Sequence, residues 1–232
     1  MKIFGLQKFS LIDYPGKLAC VVFTGGCNFS CPYCHNPCLV LAPESQEPID
    51  YNDFFEFLRK RQGKLDGVVV SGGEPTLQKK LKKLIVDIKK LDFLVKLDTN
   101  GSNFEVVKEL VDDNLIDSIG IDYKASSNDY AKISGNKNIN GIDVLKVINY
   151  SVKKLRQKNV DIRTTVHKSL LSFEELKVMW SELKLQGVEE WYLQQYHDVE
   201  VLDLKLSNET WTNSELEDIA QNISPKIKIR NI

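Results

Sequence analysis

Six short runs of nearly continuous apolar or β-branched residues, separated by stretches with a helical period, limit this chain to very few folds. The runs cover residues 18–24, 67–71, 93–99, 118–123, 160–166 and 190–195. Several lack the polar alternation of a sheet with one wet face, so they read as parallel strands covered on both sides. Between them, Leu77, Leu81, Leu84, Ile85 and Ile88 form one apolar stripe, and Ile142, Leu145, Ile148, Val152 and Leu155 form another. Ser172 with Glu175 reads as a capping box opening a helix that buries Leu176, Met179, Trp180 and Leu183. β–α units in series imply right-handed crossovers and a parallel sheet, open or curled into a partial barrel. The tail adds a helix over 214–221, opened by Thr212 with Glu215, and a strand over 226–232.

A chain of 232 residues suits one domain over 1–232, with a long loop over 25–38 after the first run and a C-terminal extension from about 200 to 232. Such a domain buries roughly 70% of its unfolded-chain surface and needs no disulfide staples. The net charge of −1 argues against a large electrostatic grip on nucleic acid or anionic lipid. No apolar run approaches the ~20 residues of a membrane span, and residues 1–10 lack a signal-peptide pattern. The expectation is a cytoplasmic protein without nucleic-acid or membrane partners.

All five cysteines lie between Cys20 and Cys38. A disulfide framework spreads its cysteines to tie distant segments together, and an odd count fits it poorly. Clustered thiols in a reducing compartment point to metal. Cys27, Cys31 and Cys34 are spaced C-x₃-C-x₂-C in one tight loop and can reach one small object. Zinc answers if Cys38 or His35 closes the fourth position. A thiolate-held iron–sulfur cluster answers as well, and three ligands on a four-iron cube leave one iron open for chemistry. Cys20, inside an apolar run, reads as a small buried hydrophobe, and Cys38 as a bystander.

In parallel α/β folds the chemistry sits where strands end and helices begin, and the unusual residues fall there. Gly72-Gly73-Glu74-Pro75 follows the second run; its glycines let backbone approach a ligand, and Glu74 can orient a ligand's ammonium group. Asp98-Thr99-Asn100-Gly101 ends the third run and Asp122-Tyr123-Lys124 the fourth. Asp98 could equally cap a helix at Asn103.

Taken together, C-x₃-C-x₂-C after a first strand and G-G-E-P after the second resemble the radical S-adenosylmethionine superfamily. The resemblance implies a (β/α)₆ partial TIM barrel and a [4Fe–4S] cluster on Cys27, Cys31 and Cys34. The open iron would chelate S-adenosylmethionine, whose reductive cleavage releases a 5′-deoxyadenosyl radical. Tyr33, before the third cysteine, would lie against the adenine, with Cys34 and backbone at His35 beside it. The D-T-N-G and D-x-K motifs resemble those of activating enzymes for glycyl-radical proteins. There the two aspartates help form a site for a monovalent cation, which here would use Asp98, Thr99 and Asp122. Cosubstrate contacts would come from Gly72, Gly73, Glu74, Asp98, Asn100, Asp122, Tyr123 and Lys124. Arg163 and His197 fall where those enzymes have a carboxylate-binding Arg and a ligand-contacting His, whereas His167 has no counterpart. Ser10-Leu11-Ile12-Asp13-Tyr14-Pro15-Gly16-Lys17 looks most like the compact subgroup that activates anaerobic ribonucleoside-triphosphate reductase. The implied partners are that glycyl-radical enzyme and a reduced flavodoxin or ferredoxin as electron donor. The alternatives are an activator of pyruvate formate-lyase or another glycyl-radical enzyme, a radical enzyme on a small molecule, or a non-catalytic metal-binding redox module.

Overall fold

The computed structural model describes residues 2–196, 201–203, 205–206 and 209–230. These form two compact units, Met1–Asn28, Asn36–Thr99 and Glu105–Ile119 in the first, and Phe29–His35, Asn100–Phe104 and Gly120–Ile232 in the second. The strands follow one another in chain order, β1 to β8.

In the first unit, β1 (Gly5–Ser10) pairs antiparallel with β2 (Ala19–Thr24), which pairs in parallel with β3 (Gly67–Gly72) and through it with β4 (Leu94–Thr99). The cysteine-loop exit forms a short helix, α1 (Pro37–Leu41); α2 (Tyr51–Arg59), α3 (Leu81–Lys89) and α4 (Phe104–Asp112) follow. Val68, Val69 and Val70 of β3 are all buried, as continuous apolar strands between two covering layers must be. Tyr14, in the segment that joins β1 to β2, packs with Ala19, Val21 and Val69 as one cluster.

The division runs within β5 (Ser118–Asp122). The second unit holds α5 (Tyr130–Ser134), α6 (Gly141–Lys154), β6 (Val160–Val166), α7 (Phe173–Leu185), β7 (Trp191–Gln195), α8 (Asn213–Ile223) and β8 (Ile227–Arg230). β6, β7 and β8 pair in parallel. Trp191 of β7 stacks on Trp180 of α7 at 6.3 Å between ring centroids, and its indole N–H donates to Thr164 Oγ1 at 2.9 Å.

The six expected strands appear with ends shifted by a residue or less, and both capping boxes form, at Ser172/Glu175 and Thr212/Glu215. Two stripe assignments need correction. Leu77 is 43% exposed and belongs to a 3₁₀ turn, because Pro75 and the carboxylate of Glu74 close that turn before α3 starts at Leu81. Ile142 is 56% exposed at the start of α6. Each step of three residues falls about 60° short of a full turn, so 142, 145 and 148 drift round the helix. Leu145 and Ile148 are buried as expected, and α6 buries Gly141, Val144, Val147 and Ser151 beside them. Strand β1 has no sequence signal: three of its six residues are exposed, and only pairing with β2 makes it a strand.

Candidate functional site

The first unit brings the start of the cysteine loop against the Gly-Gly-Glu-Pro turn. Glu74 N–H donates to Gly26 O at 2.8 Å, and Gly73 N–H to Thr24 O at 2.8 Å. Two glycines make this approach achievable. Gly72 has φ +114°, a conformation that L side chains rarely adopt, and a Cβ on Gly73 would sit 2.1 Å from Gly26 O. Gln78 Nε2 reinforces the joint by donating to Gly25 O at 2.8 Å. Backbone at Gly26, next to Cys27, is thus fixed by the motif one β–α unit downstream.

Glu74 is fully buried. Its Oε1 accepts from Thr76 N at 3.0 Å, from the Thr76 hydroxyl, and from Thr99 Oγ1 at 2.8 Å. Those donors fix the carboxylate in orientation and help stabilise its charge. Sequence reasoning named Glu74 but not Thr76 as its clamp.

Asp98, one residue before Thr99, answers a buried lysine on its own strand. Its Oδ1 receives the Lys96 ammonium at 2.6 Å, and the same ammonium donates to Asp13 O at 2.7 Å. Lys96 is 0% exposed. The available signal was the alternation of β4: positions 96 and 98 lie on one face of the strand, so a lysine amid apolar residues had a carboxylate as its same-face neighbour.

In the second unit, Cys31 and Cys34 are joined by a turn in which Cys34 N–H donates to Cys31 O at 3.0 Å. This segment is tied to α5: Ser30 N–H donates to Ser134 O at 2.8 Å, and Phe29 meets Tyr130 edge-on at 6.2 Å. Pro32 O accepts from Asp203 N–H at 3.0 Å. Cys20 is buried in β2 and its thiol pKa is pushed up to about 12, mainly by burial, as suits a structural thiol. Cys38 is exposed, on α1. Among the described residues no three His, Cys, Asp or Glu side chains are grouped as ligands of a single metal ion.

Tyr33 is buried, and among the described residues its hydroxyl has no hydrogen-bond partner. A buried hydroxyl without a partner costs of order 1–3 kcal/mol. The Lys124 ammonium lies 5.8 Å from the Tyr33 ring centroid and 3.4 Å from Asp122 Oδ2. Arg163 grips Asp122 Oδ1 through Nε and Nη2, both at 3.0 Å. Burial by itself would raise the Asp122 pKa, but Arg163 and Lys124 outweigh it and hold the carboxyl at about 2. Burial likewise opposes the charge on Lys124, yet Asp122 and its neighbours keep its pKa above the ordinary lysine value. Arg163 also lies 3.9 Å from Asp161, which Arg230 of β8 holds in a fork at 2.9 and 3.0 Å.

The other expected residues are placed as follows. Asn100 is buried and its Oδ1 accepts from Ser102 N–H at 2.9 Å. The Tyr123 hydroxyl donates to Glu182 of α7 at 2.7 Å, while its N–H donates to Arg163 O at 2.8 Å, so it braces β5 and β6. His35 lies 6.0 Å from the Tyr196 ring, and buried His167 meets the same ring edge-on at 4.8 Å. His197 lies outside the described residues.

A family profile described as the radical SAM superfamily matches residues 21–174. A Methanocaldococcus jannaschii protein named for glycyl-radical enzyme activation is 31% identical over 98% of this chain and 95% of its own length. A pyruvate formate-lyase-activating enzyme of Staphylococcus aureus is 34% identical, but over 41% of this chain and 40% of its own. Among solved structures, a radical SAM methyltransferase from Sphaerobacter thermophilus superposes with a TM-score of 0.69 at 13% identity, over 96% of this chain and 68% of that one. Streptococcus suis SuiB bound to S-adenosylmethionine superposes with a TM-score of 0.66 at 15% identity, over 91% of this chain and 49% of that one. This chain therefore spans about half the length of SuiB, and these likenesses carry the α/β fold alone.

Proposed function

Because the chain belongs to the glycyl-radical enzyme activating enzymes of the radical SAM superfamily, we propose that it installs a glycyl radical on a partner enzyme, most specifically an anaerobic ribonucleotide reductase. The near full-length likeness to an activating enzyme carries the reaction class. The partner rests on the segment from Ser10 to Lys17, with Asp-Tyr-Pro-Gly where pyruvate formate-lyase activators have Asp-Gly-Pro-Gly. The partial match to a pyruvate formate-lyase-activating enzyme keeps that partner as the second reading.

The family's [4Fe–4S] cluster would be held by Cys27, Cys31 and Cys34, with S-adenosylmethionine beside it and a reduced flavodoxin or ferredoxin as electron donor. The residues present suit both groups. Three thiols share one loop while Cys38 sits exposed on α1. The Gly72–Gly73 backbone leaves no space for side chains, and Tyr33 presents a buried hydroxyl with no partner among the described residues. When bound, these groups supply the one-electron cleavage that ends in methionine, 5′-deoxyadenosine and a glycine-centred radical on the partner.

The chain's own residues do the placing. Glu74, fixed by Thr76 and Thr99, offers an oriented negative charge to the cosubstrate ammonium. Arg163 and Lys124, pre-aligned on Asp122, offer positive charge to a carboxylate or to ribose oxygens. Tyr33 supplies an aromatic wall whose hydroxyl gains a partner on binding. Pre-alignment matters because side chains already fixed lose little further freedom when the ligand arrives.

The test is anaerobic. The iron–sulfur-reconstituted protein, reduced and given S-adenosylmethionine, is mixed with an anaerobic ribonucleotide reductase or with pyruvate formate-lyase. Electron paramagnetic resonance should then show a glycyl radical on the reductase. A radical on pyruvate formate-lyase alone would establish the second reading, and 5′-deoxyadenosine formed without a radical on either would overturn both.

A further inference from the structure

We infer that Lys96 is a positioning residue whose buried ammonium takes the place of a monovalent metal cation at Asp98, so that this chain handles its cosubstrate without K⁺ or Na⁺. The family resemblance implies a cation beside Asp98, Thr99 and Asp122. The observed contacts do not suit one. Asp98 Oδ1 already receives an ammonium at 2.6 Å, and that ammonium is fully buried. A metal ion on the same oxygen would bring a second positive charge close to the first, in a region where water screens neither. Asp122 is likewise in use, bracketed by Arg163 at 3.0 Å and Lys124 at 3.4 Å. Within each unit, protein cations already answer the carboxylate that the cation site would need.

The turn from Ser10 to Gly16 supplies the second oxygen around that ammonium. Ser10 Oγ accepts from Ile12 N–H at 3.2 Å and Asp13 N–H at 3.1 Å, while its own hydroxyl donates to the Asp13 carboxylate. Lys17 N–H donates to Tyr14 O at 2.9 Å, and Gly16 closes the turn at φ +71°. Tyr14 is packed with Ala19, Val21 and Val69. So anchored, the turn aims Asp13 O at the Lys96 ammonium, 83 residues away in sequence, at 2.7 Å. A carboxylate oxygen plus a backbone carbonyl is the kind of oxygen set that serves hard cations; here it serves an ammonium that the chain carries itself.

The experiment compares K⁺, Na⁺ and tetramethylammonium chloride at equal ionic strength, on reconstituted protein, by thermal unfolding and by S-adenosylmethionine binding. The wild type should behave alike in all three salts. Lys96→Ala vacates the ammonium but keeps both oxygens. It should unfold about 3 °C or more higher in K⁺ or Na⁺ than in tetramethylammonium, the size of shift expected for roughly 1 kcal/mol in a chain of this length. It should also bind S-adenosylmethionine about tenfold tighter there, a free energy of similar size expressed as affinity. Lys96→Met fills the space without charge and should show no such rescue. Should Lys96→Ala not fold, the uncharged pair Lys96→Met with Asp98→Asn should fold and stay indifferent to the salt. A wild type that needs K⁺ or Na⁺, a Lys96→Ala variant indifferent to them, or loss of fold in the uncharged pair would each overturn the inference. The binding readout rests on the proposed function; the unfolding readout does not, so the two fail separately.

Discussion

Asp98 and Asp122 look alike in sequence, each closing an apolar strand, yet the structure gives them opposite settings. Asp98 is 8% exposed and shares one fully buried lysine with a backbone carbonyl. Asp122 is 37% exposed and is shared by Arg163 and Lys124, which also faces the Tyr33 ring. The first arrangement is closed: both charges are out of water and depend on each other. The second leaves the Asp122 carboxylate partly in water, between two cations that are themselves only 11% and 13% exposed. Position at a strand end therefore does not fix a residue's exposure; what packs around it does.

The harshest way to break this contrast is Asp98→Ala. It strands the Lys96 ammonium without its carboxylate, and losing one partner of a buried pair costs about 3–5 kcal/mol. Denaturant unfolding of the reconstituted protein should show that loss, and Asp98→Ala with Lys96→Met should recover much of it. A stability close to wild type would mean that the pair is not closed after all.

Asp122→Ala should give the reverse pattern. Stability should fall by about 1–3 kcal/mol, less than for Asp98→Ala, because the carboxylate is partly in water and Arg163 keeps Asp161 as a neighbour, while Lys124 loses its carboxylate partner. Affinity for S-adenosylmethionine should drop about ten- to hundredfold, as expected for losing a charge-assisted contact worth roughly 1.5–3 kcal/mol. Iron content should not change. If Asp122→Ala unfolds like Asp98→Ala while binding normally, the two sites are the same kind of site.

The smallest effect calibrates the other two. Cys38→Ser, at an exposed position on α1, should keep its full iron content and its response to S-adenosylmethionine. Cys27→Ala, Cys31→Ala and Cys34→Ala should each lose the cluster. Iron lost from Cys38→Ser would make the chain a four-thiolate redox module and remove the cosubstrate that Asp122 and its cations are proposed to meet.

Features that depend only on neighbours along the chain were legible in the sequence. Strand–helix alternation follows from local periodicity, and the two capping boxes close within four residues, so Ser172/Glu175 and Thr212/Glu215 formed as expected. The three cysteines and Gly72–Gly73 were equally visible, because tight loops impose their needs on adjacent positions. Legibility weakened where a residue's setting depends on chain far away. Leu77 and Ile142 have the right character for a core, but a 3₁₀ turn and the drift of three-residue steps put them in water. Strand β1 exists through its ladder to β2.

Lys96 shows the division most clearly. Its place in the sequence implied that it shares a face of β4 with Asp98, and nothing more. Burial of its charge required the turn at Asp13, folded back from the chain's beginning, to bring a carbonyl to the ammonium. Sequence alone thus determined the class of fold, the caps and the chemical inventory of the strand ends. Tertiary structure decided which of those charges are sealed and which reach water, because the cost of burying a charge is set by everything packed around it.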